Sequence, residues 1–351
     1  MNPSTTPADT FLGIDVAKAK LDTCLLLPEG HVHHKAFANT PAGWAKLRDW
    51  ALSLSQGKPC HFALEVTASY SDGLATFLAQ DDQRVSLLHP ARVRYAALAA
   101  GTGNKTDKAD AKVIADYCRQ QNPPLWQPPS PELRTLVDLV RRREDLLEML
   151  QQEKNRQEQQ SLDKAVRQSL QRSARSLERE LARLEKAIVQ HVQSHPQLAA
   201  QATLLESIPG ISTLTAHKIL AGHMPHMAEL GGDATRFASS SAAAAYAGLA
   251  PREHRSGSSV RKKTQISKRG NSRLRKALYF PTVTALSHNP LIKAFYERLV
   301  ASGKRKMVAL AAAMRKLLMI AVAVLRSGQP FDPSWAERLQ RQRSEVLPVA
   351  P

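Results

Sequence analysis

The sequence predicts an α/β domain followed by regions that are mostly helical. Three observations carry this prediction. Short apolar runs alternate with helical segments over the first 125 residues, apolar residues recur at three-four spacing between Pro131 and His191, and helical stretches punctuated by Gly and Pro follow.

In the front third, residues 11–14 form a short buried strand that runs into Asp15, residues 21–27 a second and residues 32–37 a third, with Pro28-Glu29-Gly30 as a turn. Pro41 opens a helix to about residue 54, residues 60–66 are a strand, 71–79 a helix, 85–89 a strand, and another helix starts near Pro90. Three strands, then helix, strand, helix, strand, helix is the order of the ribonuclease-H-like fold.

Composition sets the limits. A chain of 351 residues with 43% hydrophobic content supports two or three domains, each with a core. Cys24, Cys60 and Cys118 are far apart, odd in number and without a CxxC pair, which argues against a disulfide framework or zinc ribbon and suits a reducing cytoplasm. The first ten residues are polar and carry no secretion signal, and the apolar run 317–325, preceded by Arg315 and Lys316, is too short to span a bilayer, so no membrane partner is expected.

The net charge is +18, and its distribution is uneven. From Arg252 onward basic residues outnumber acidic ones by 21 to 5, whereas the preceding parts are nearly neutral. This asymmetry points to a polyanion gripped chiefly by the C-terminal region, the bland alternative being a solvated basic surface.

Against that background four carboxylates stand out. Asp15 leaves the first strand, Glu65 ends the fourth, and Asp107 and Asp110, three apart, share one face of a helix expected to run through Tyr117. Crowded carboxylates repel one another, and a divalent ion such as Mg2+ removes that penalty. Two such ions can hold the attacking and leaving oxygens of a phosphate, which suggests phosphodiester chemistry on nucleic acid. Taken singly, Asp15 also reads as a turn residue, Glu65 as a surface acid and Asp107 as a helix cap; together they fill the slots of the fold. Asp22 and Asp116 have no such slot and read as surface residues.

Residues 131–191 read as two long helices, with the polar stretch 151–171 as the tip of an antiparallel hairpin or a loosely packed middle. Dimerisation and internal spacing are both open for them. Ser207-Ile208-Pro209-Gly210-Ile211-Ser212 resembles the turn of a helix-hairpin-helix that offers amides to phosphate, although Ser212 replaces its second glycine; a plain helix connection fits as well. His31, His33 and His34, like His223 and His226, lack a completing cysteine and read as loop or strand residues.

From Arg252 to Lys276 the chain carries ten basic residues and one acid. Within it, Ser256-Gly257-Ser258-Ser259 reads as a flexible loop among Arg252, Arg255, Arg261, Lys262 and Lys263, followed by Lys268, Arg269, Arg273 and Arg275. Such a loop can grip phosphate, or it can present a hydroxyl to one while the cations neutralise developing charge.

Several motifs in one order resemble the DEDD transposases of insertion sequence family 110, the bridge-RNA-guided recombinases. They are Gly13-Ile14-Asp15-Val16-Ala17-Lys18, Leu64-Glu65-Val66-Thr67, Asn104-Lys105-Thr106-Asp107-Lys108-Ala109-Asp110, Ile208-Pro209-Gly210-Ile211, Ala247-Gly248-Leu249-Ala250-Pro251-Arg252 and Ser256-Gly257-Ser258-Ser259-Val260-Arg261. The resemblance extends over residues 11–332.

It implies a RuvC-like metal domain over residues 1–125, a coiled-coil oligomerisation region over 126–200, a C-terminal transposase domain over 201–335 and a disordered tail over 336–351. It also implies that Asp15, Glu65, Asp107 and Asp110 hold Mg2+, for which Mn2+ can substitute, and that Ser256 becomes linked to a DNA 5′ phosphate. Lys105 and the basic residues around Ser256 would contact nucleic acid. The implied partners are donor and target double-stranded DNA, a noncoding bridge RNA that supplies specificity by base pairing, and further copies of the chain as a dimer of dimers. His254, two residues from Ser256, reads as a phosphate contact or a surface residue.

Overall fold

The computed structural model describes residues 10–67, 70–101, 106–159, 163–222, 239–256, 260–268 and 270–334. The chain divides into two compact units that meet in sequence at Pro129 and Ser130. Each is built around its own elements.

The first unit contains β1 (Thr10–Val16), β2 (Lys20–Leu26), β3 (Val32–Ala38), α1 (Pro41–Leu54), β4 (Cys60–Glu65), α2 (Asp72–Gln80), β5 (Arg84–Leu88), α3 (Pro90–Ala99) and α4 (Asp107–Gln121). The five strands form one mixed sheet in the order β3-β2-β1-β4-β5. The first three are antiparallel neighbours, while β4 and β5 run parallel to β1. This arrangement is consistent with the ribonuclease-H-like domain expected from the sequence.

Alternation along β1 sorts the sheet into two faces. Leu12, Ile14 and Val16 pack with Phe62 and Leu64 against Leu47 of α1 and Leu74 and Leu78 of α2. On the other face, Ala63 and Leu88 pack with Val93 of α3 and Val113 and Ile114 of α4, while Cys24 and Leu26 of β2 meet Ala111 and Ala115. Proline at the first position and a capping side chain start α1 and α3 at Pro41 and Pro90, as the sequence indicates. The three cysteines are buried free thiols. Burial pushes those of Cys24 and Cys118 up to about 12, which rules them out as nucleophiles.

The second unit opens with two long helices, α5 (Pro131–Gln157) and α6 (Lys164–Ser194). They pair antiparallel, because Arg143 Nε donates to Glu185 Oε1 at 2.8 Å, Lys154 faces Glu178 at 3.0 Å, and the His191 ring meets the Glu132 carbonyl near the opposite ends. Then come α7 (Pro196–Glu206), α8 (Thr213–Gly222), α9 (Ser240–Tyr246), the strands β6 (Pro251–Ser256) and β7 (Val260–Ile266), and four helices α10 (Ser272–Ala277), α11 (Tyr279–His288), α12 (Pro290–Ala301) and α13 (Lys306–Ser327).

The apolar run 317–325 lies within α13. By length and composition α13 is apolar enough to cross a membrane. Ala309, Ala313, Leu317 and Ala321, each four apart, are nevertheless fully buried within this unit, which is the pattern of a core helix.

The turn at Pro209-Gly210 is a packed helix connection. Gly210 has φ +103, and a Cβ there would lie 2.7 Å from that of Ala285 on α11, so the turn faces a helix.

Candidate active site

Gly13 determines how the acids meet. A Cβ at this position would fall 2.2 Å from the Ala111 carbonyl oxygen and 2.4 Å from the Ala115 nitrogen, so only glycine lets α4 lie directly on β1. Two residues further along the same face stands Asp15. Gly13 is also the register partner of Ala63 on the parallel strand β4, so Asp15 and Glu65 follow at the same end of neighbouring strands. Both are half-buried.

The N-terminus of α4 supplies the other two. Thr106 caps it, its Oγ1 accepting from the Ala109 amide at 3.2 Å, and Asp107 and Asp110 occupy the first turn. Acids in a first turn complement the positive end of the helix dipole. Asp107 is exposed and Asp110 half-buried.

The charges in this cluster oppose one another. Burial pushes the Asp15 carboxyl above the ordinary carboxylate range, and Asp110, Asp107 and Asp22 push it the same way, against a hydrogen bond from the Val16 backbone. The structure therefore brings Asp15, Asp107 and Asp110 together, with Glu65 on the adjoining strand end.

Asp22 is a correction to the sequence reading. Rather than a surface residue, it is 8% exposed and is the cross-strand partner of Asp15. Alternation with Cys24 and Leu26, which lie under α4, was the signal that placed it on the covered face. Asp116 is half-buried on α4 and ion-paired with Lys112 at 3.1 Å and Arg119 at 2.8 Å. The sequence reading also passed over Lys20, whose Nζ lies 2.8 Å from Asp22 Oδ1 and 3.6 Å from Asp107 Oδ2.

Among the described residues no three acidic, histidine or cysteine side chains are already drawn close enough to make a finished metal site. The donor set nevertheless fits a hard divalent cation, since it consists of carboxylate oxygens whose repulsion is uncompensated at Asp15. The ammonium of Lys20 stands where positive charge is called for.

In the second unit the residues on either side of the serine-glycine stretch form a two-stranded ribbon. Antiparallel pairing joins β6 to β7, with Ser256 opposite Val260, Arg255 opposite Arg261 and His254 opposite Lys262, and with an irregularity between Arg252 and His254. Val260, Thr264 and Ile266 are β-branched and supply the strand preference. Gly257, Ser258 and Ser259 lie outside the described residues, as do Lys105, Arg269, His223, His226 and the tail 336–351.

The roots of the ribbon are tied down. The Ser267 amide donates to the Ala250 carbonyl at 2.9 Å, Lys268 to Gly248 at 3.1 Å and Asn271 to Tyr246 at 2.7 Å. Gly270, at φ +110, sits so close to Tyr246 that a Cβ would be 2.0 Å from its carbonyl oxygen. The Asn271 side chain donates to the Gly222 carbonyl and the Tyr246 hydroxyl, each at 3.1 Å, and accepts from the Leu274 amide at 2.9 Å. One asparagine thus joins α8, α9 and α10.

Several expected nucleic-acid contacts already have partners within the chain. Arg275 Nη1 donates to the Ala247 carbonyl at 2.9 Å and the Lys268 carbonyl at 3.4 Å. Arg273 faces Glu144 at 3.6 Å and Asp145 at 3.7 Å on α5. Arg252 and Lys268 are exposed.

Residues 12–167 match a family described as Transposase, that of the IS110 DEDD transposases, and residues 202–297 match the Transposase IS116/IS110/IS902 family. The pilin gene-inverting protein of Moraxella lacunata is 34% identical over 92% of this chain and 98% of its own, and that of Moraxella bovis is equally similar over the same shares. An uncharacterized 43.6 kDa protein of the insertion element IS110 from Streptomyces coelicolor is 29% identical over 42% of this chain and 34% of its own. With a metal-suited acid cluster and a basic ribbon in one chain, and with relatives matched over most of its length, the protein belongs to the IS110 family of transposases.

Proposed function

We propose that this protein is an RNA-guided DNA recombinase that cuts and rejoins donor and target DNA through a 5′-phosphoserine on Ser256. The observation that carries the reading is the cluster of Asp15, Asp107 and Asp110, in which burial and the neighbouring acids raise the Asp15 carboxyl, formed because α4 rests on Gly13. Asp15, Glu65, Asp107 and Asp110 would hold Mg2+, or Mn2+ in its place. When bound, the ion supplies positive charge to the oxygens of the reacting phosphate.

The serine step balances without an energy source. The Ser256 Oγ–P bond forms as the P–O3′ bond breaks, and the hydroxyl proton ends on the departing 3′ oxygen. Attack by a 3′ hydroxyl on the phosphoserine reverses this and returns the proton to Ser256. Cleavage by water, the alternative, would not store the bond. The relatives' printed name, gene-inverting protein, favours recombination, because inversion requires rejoining as well as cutting.

In this reading residues 1–125 form the metal domain, 201–335 the domain that carries the nucleophile, and 126–200 a coiled coil that assembles a tetramer. A metal domain of one subunit would then act with Ser256 of another. Lys105, Arg252, Arg255, Arg261, Lys262, Lys263, Lys268 and Arg269 grip nucleic acid backbone, and a bridge RNA supplies specificity in the cytoplasm of a prokaryotic cell.

The test is to incubate the protein, the noncoding RNA of its element and DNA, and to map any covalent adduct by mass spectrometry. An adduct on Ser256, absent from Ser256→Ala, is expected. An adduct on Ser258 would overturn the residue assignment, and cleaved ends free of protein would select the water-using nuclease.

A further inference from the structure

Lys20 enters the acid cluster from the strand next to β1. Its ammonium bridges two acids of different kinds: Asp22, buried in the sheet, at 2.8 Å, and Asp107, exposed on the first turn of α4, at 3.6 Å. Asp22 is in turn the register partner of Asp15. The lysine side chain is 51% exposed, and the Lys20 carbonyl accepts from the Ala17 amide at 2.9 Å, which closes the turn joining β1 and β2. The base of the side chain is therefore fixed, while its flexible stem leaves the ammonium free to move.

The acids around Asp15 repel one another, and Lys20 is placed to offset that repulsion between sheet and helix. A divalent cation at the same carboxylates would be repelled by the ammonium. The two positive charges compete for Asp107.

We propose that Lys20 is a resident counter-cation, which links Asp22 to Asp107 while metal is absent and yields Asp107 to a divalent ion, so that it sets the metal affinity of the site. The proposal rests on reading Asp15, Glu65, Asp107 and Asp110 as metal ligands. Lys20 is a positioning residue here, not a catalytic one. Removing one positive charge a few ångströms from a half-exposed site should tighten metal binding by about three- to tenfold, and less as salt screens it.

The experiment measures Mn2+ binding to the full-length protein from the loss of the free-ion electron paramagnetic resonance signal, together with thermal melting in chelator and in saturating Mn2+. Lys20→Met is expected to bind Mn2+ about three- to tenfold more tightly than the parent, and Lys20→Arg about as tightly as the parent. In chelator Lys20→Met should melt below the parent, with Mn2+ closing the gap; Lys20→Gln serves as the neutral variant if Lys20→Met does not fold. Unchanged or weaker binding in the neutral variant, with binding lost in Asp15→Asn, overturns the role of Lys20 and leaves the metal site standing. Equal Mn2+ binding by the parent and Asp15→Asn overturns the metal reading itself.

Discussion

The carbonyl oxygen of Ala111 rests on Gly13, 2.2 Å from where a side chain would begin. This contact sets the distance between the helix that carries Asp107 and Asp110 and the strand that carries Asp15. Gly13→Ala should push α4 off β1, destabilise the first unit by about 1–3 kcal/mol, and weaken Mn2+ binding with every acid still present. Thermal melting and Mn2+ titration of the same preparation check both parts.

Asp15 should destabilise the metal-free fold. Its carboxyl is raised above its ordinary range, so the native state binds the proton more tightly than the unfolded chain, and stability falls as pH rises from the unfolded value towards the raised one. Asp15→Asn should therefore be the more stable protein at neutral pH in chelator, by on the order of 1 kcal/mol or less, since the group is only half-buried. The same variant should form no DNA adduct. Denaturant melts with and without Mg2+, beside the adduct assay, separate the two effects.

His61 gives the opposite sign. Its ring is fully buried in β4, with Nε2 2.7 Å from Ser86 Oγ, and burial followed by the nearby Arg84 lowers it to about 4. The unfolded chain then takes up the proton first, so stability is complete above about pH 6.5 and is lost as pH falls from there towards 4. His61→Gln should flatten this slope. Urea midpoints measured across that window would show it.

Two arginines near the ribbon should behave differently. Arg275 spends a guanidinium nitrogen on two carbonyls, so Arg275→Ala should lower stability by about 1–2 kcal/mol and leave the salt dependence of DNA binding unchanged. Arg252 is exposed, and Arg252→Ala should reduce the slope of log affinity against log salt by about one. Binding isotherms at several salt concentrations distinguish them.

Much of the first unit was legible because its signals are local. Alternating apolar residues, Pro41 and Pro90 mark the elements, and the acids fall at strand and helix ends where the ribonuclease-H-like order puts them. Asp22 was misread because its burial comes from α4, some ninety residues away in the chain, and Lys20 escaped because a lysine next to an acid is usually a solvated pair. In the second unit the strands β6 and β7 were hidden by their many charges, which reads as loop. Gly210 and Gly270 were visible as glycines, but the neighbours that require them, Ala285 and Tyr246, are distant or ordinary in sequence.

Asn271 and Gly270 have a mechanical consequence. The two-stranded ribbon has its roots bonded to Tyr246, Gly248 and Ala250, so its base is anchored in the backbone of α9 and the turn that follows. Ser256 lies at the far end of the paired strands, and the pairing irregularity between Arg252 and His254 stands between it and the anchored base. Bending of the ribbon would then be taken up at that irregularity and not at its base, where Asn271 ties α8, α9 and α10 together.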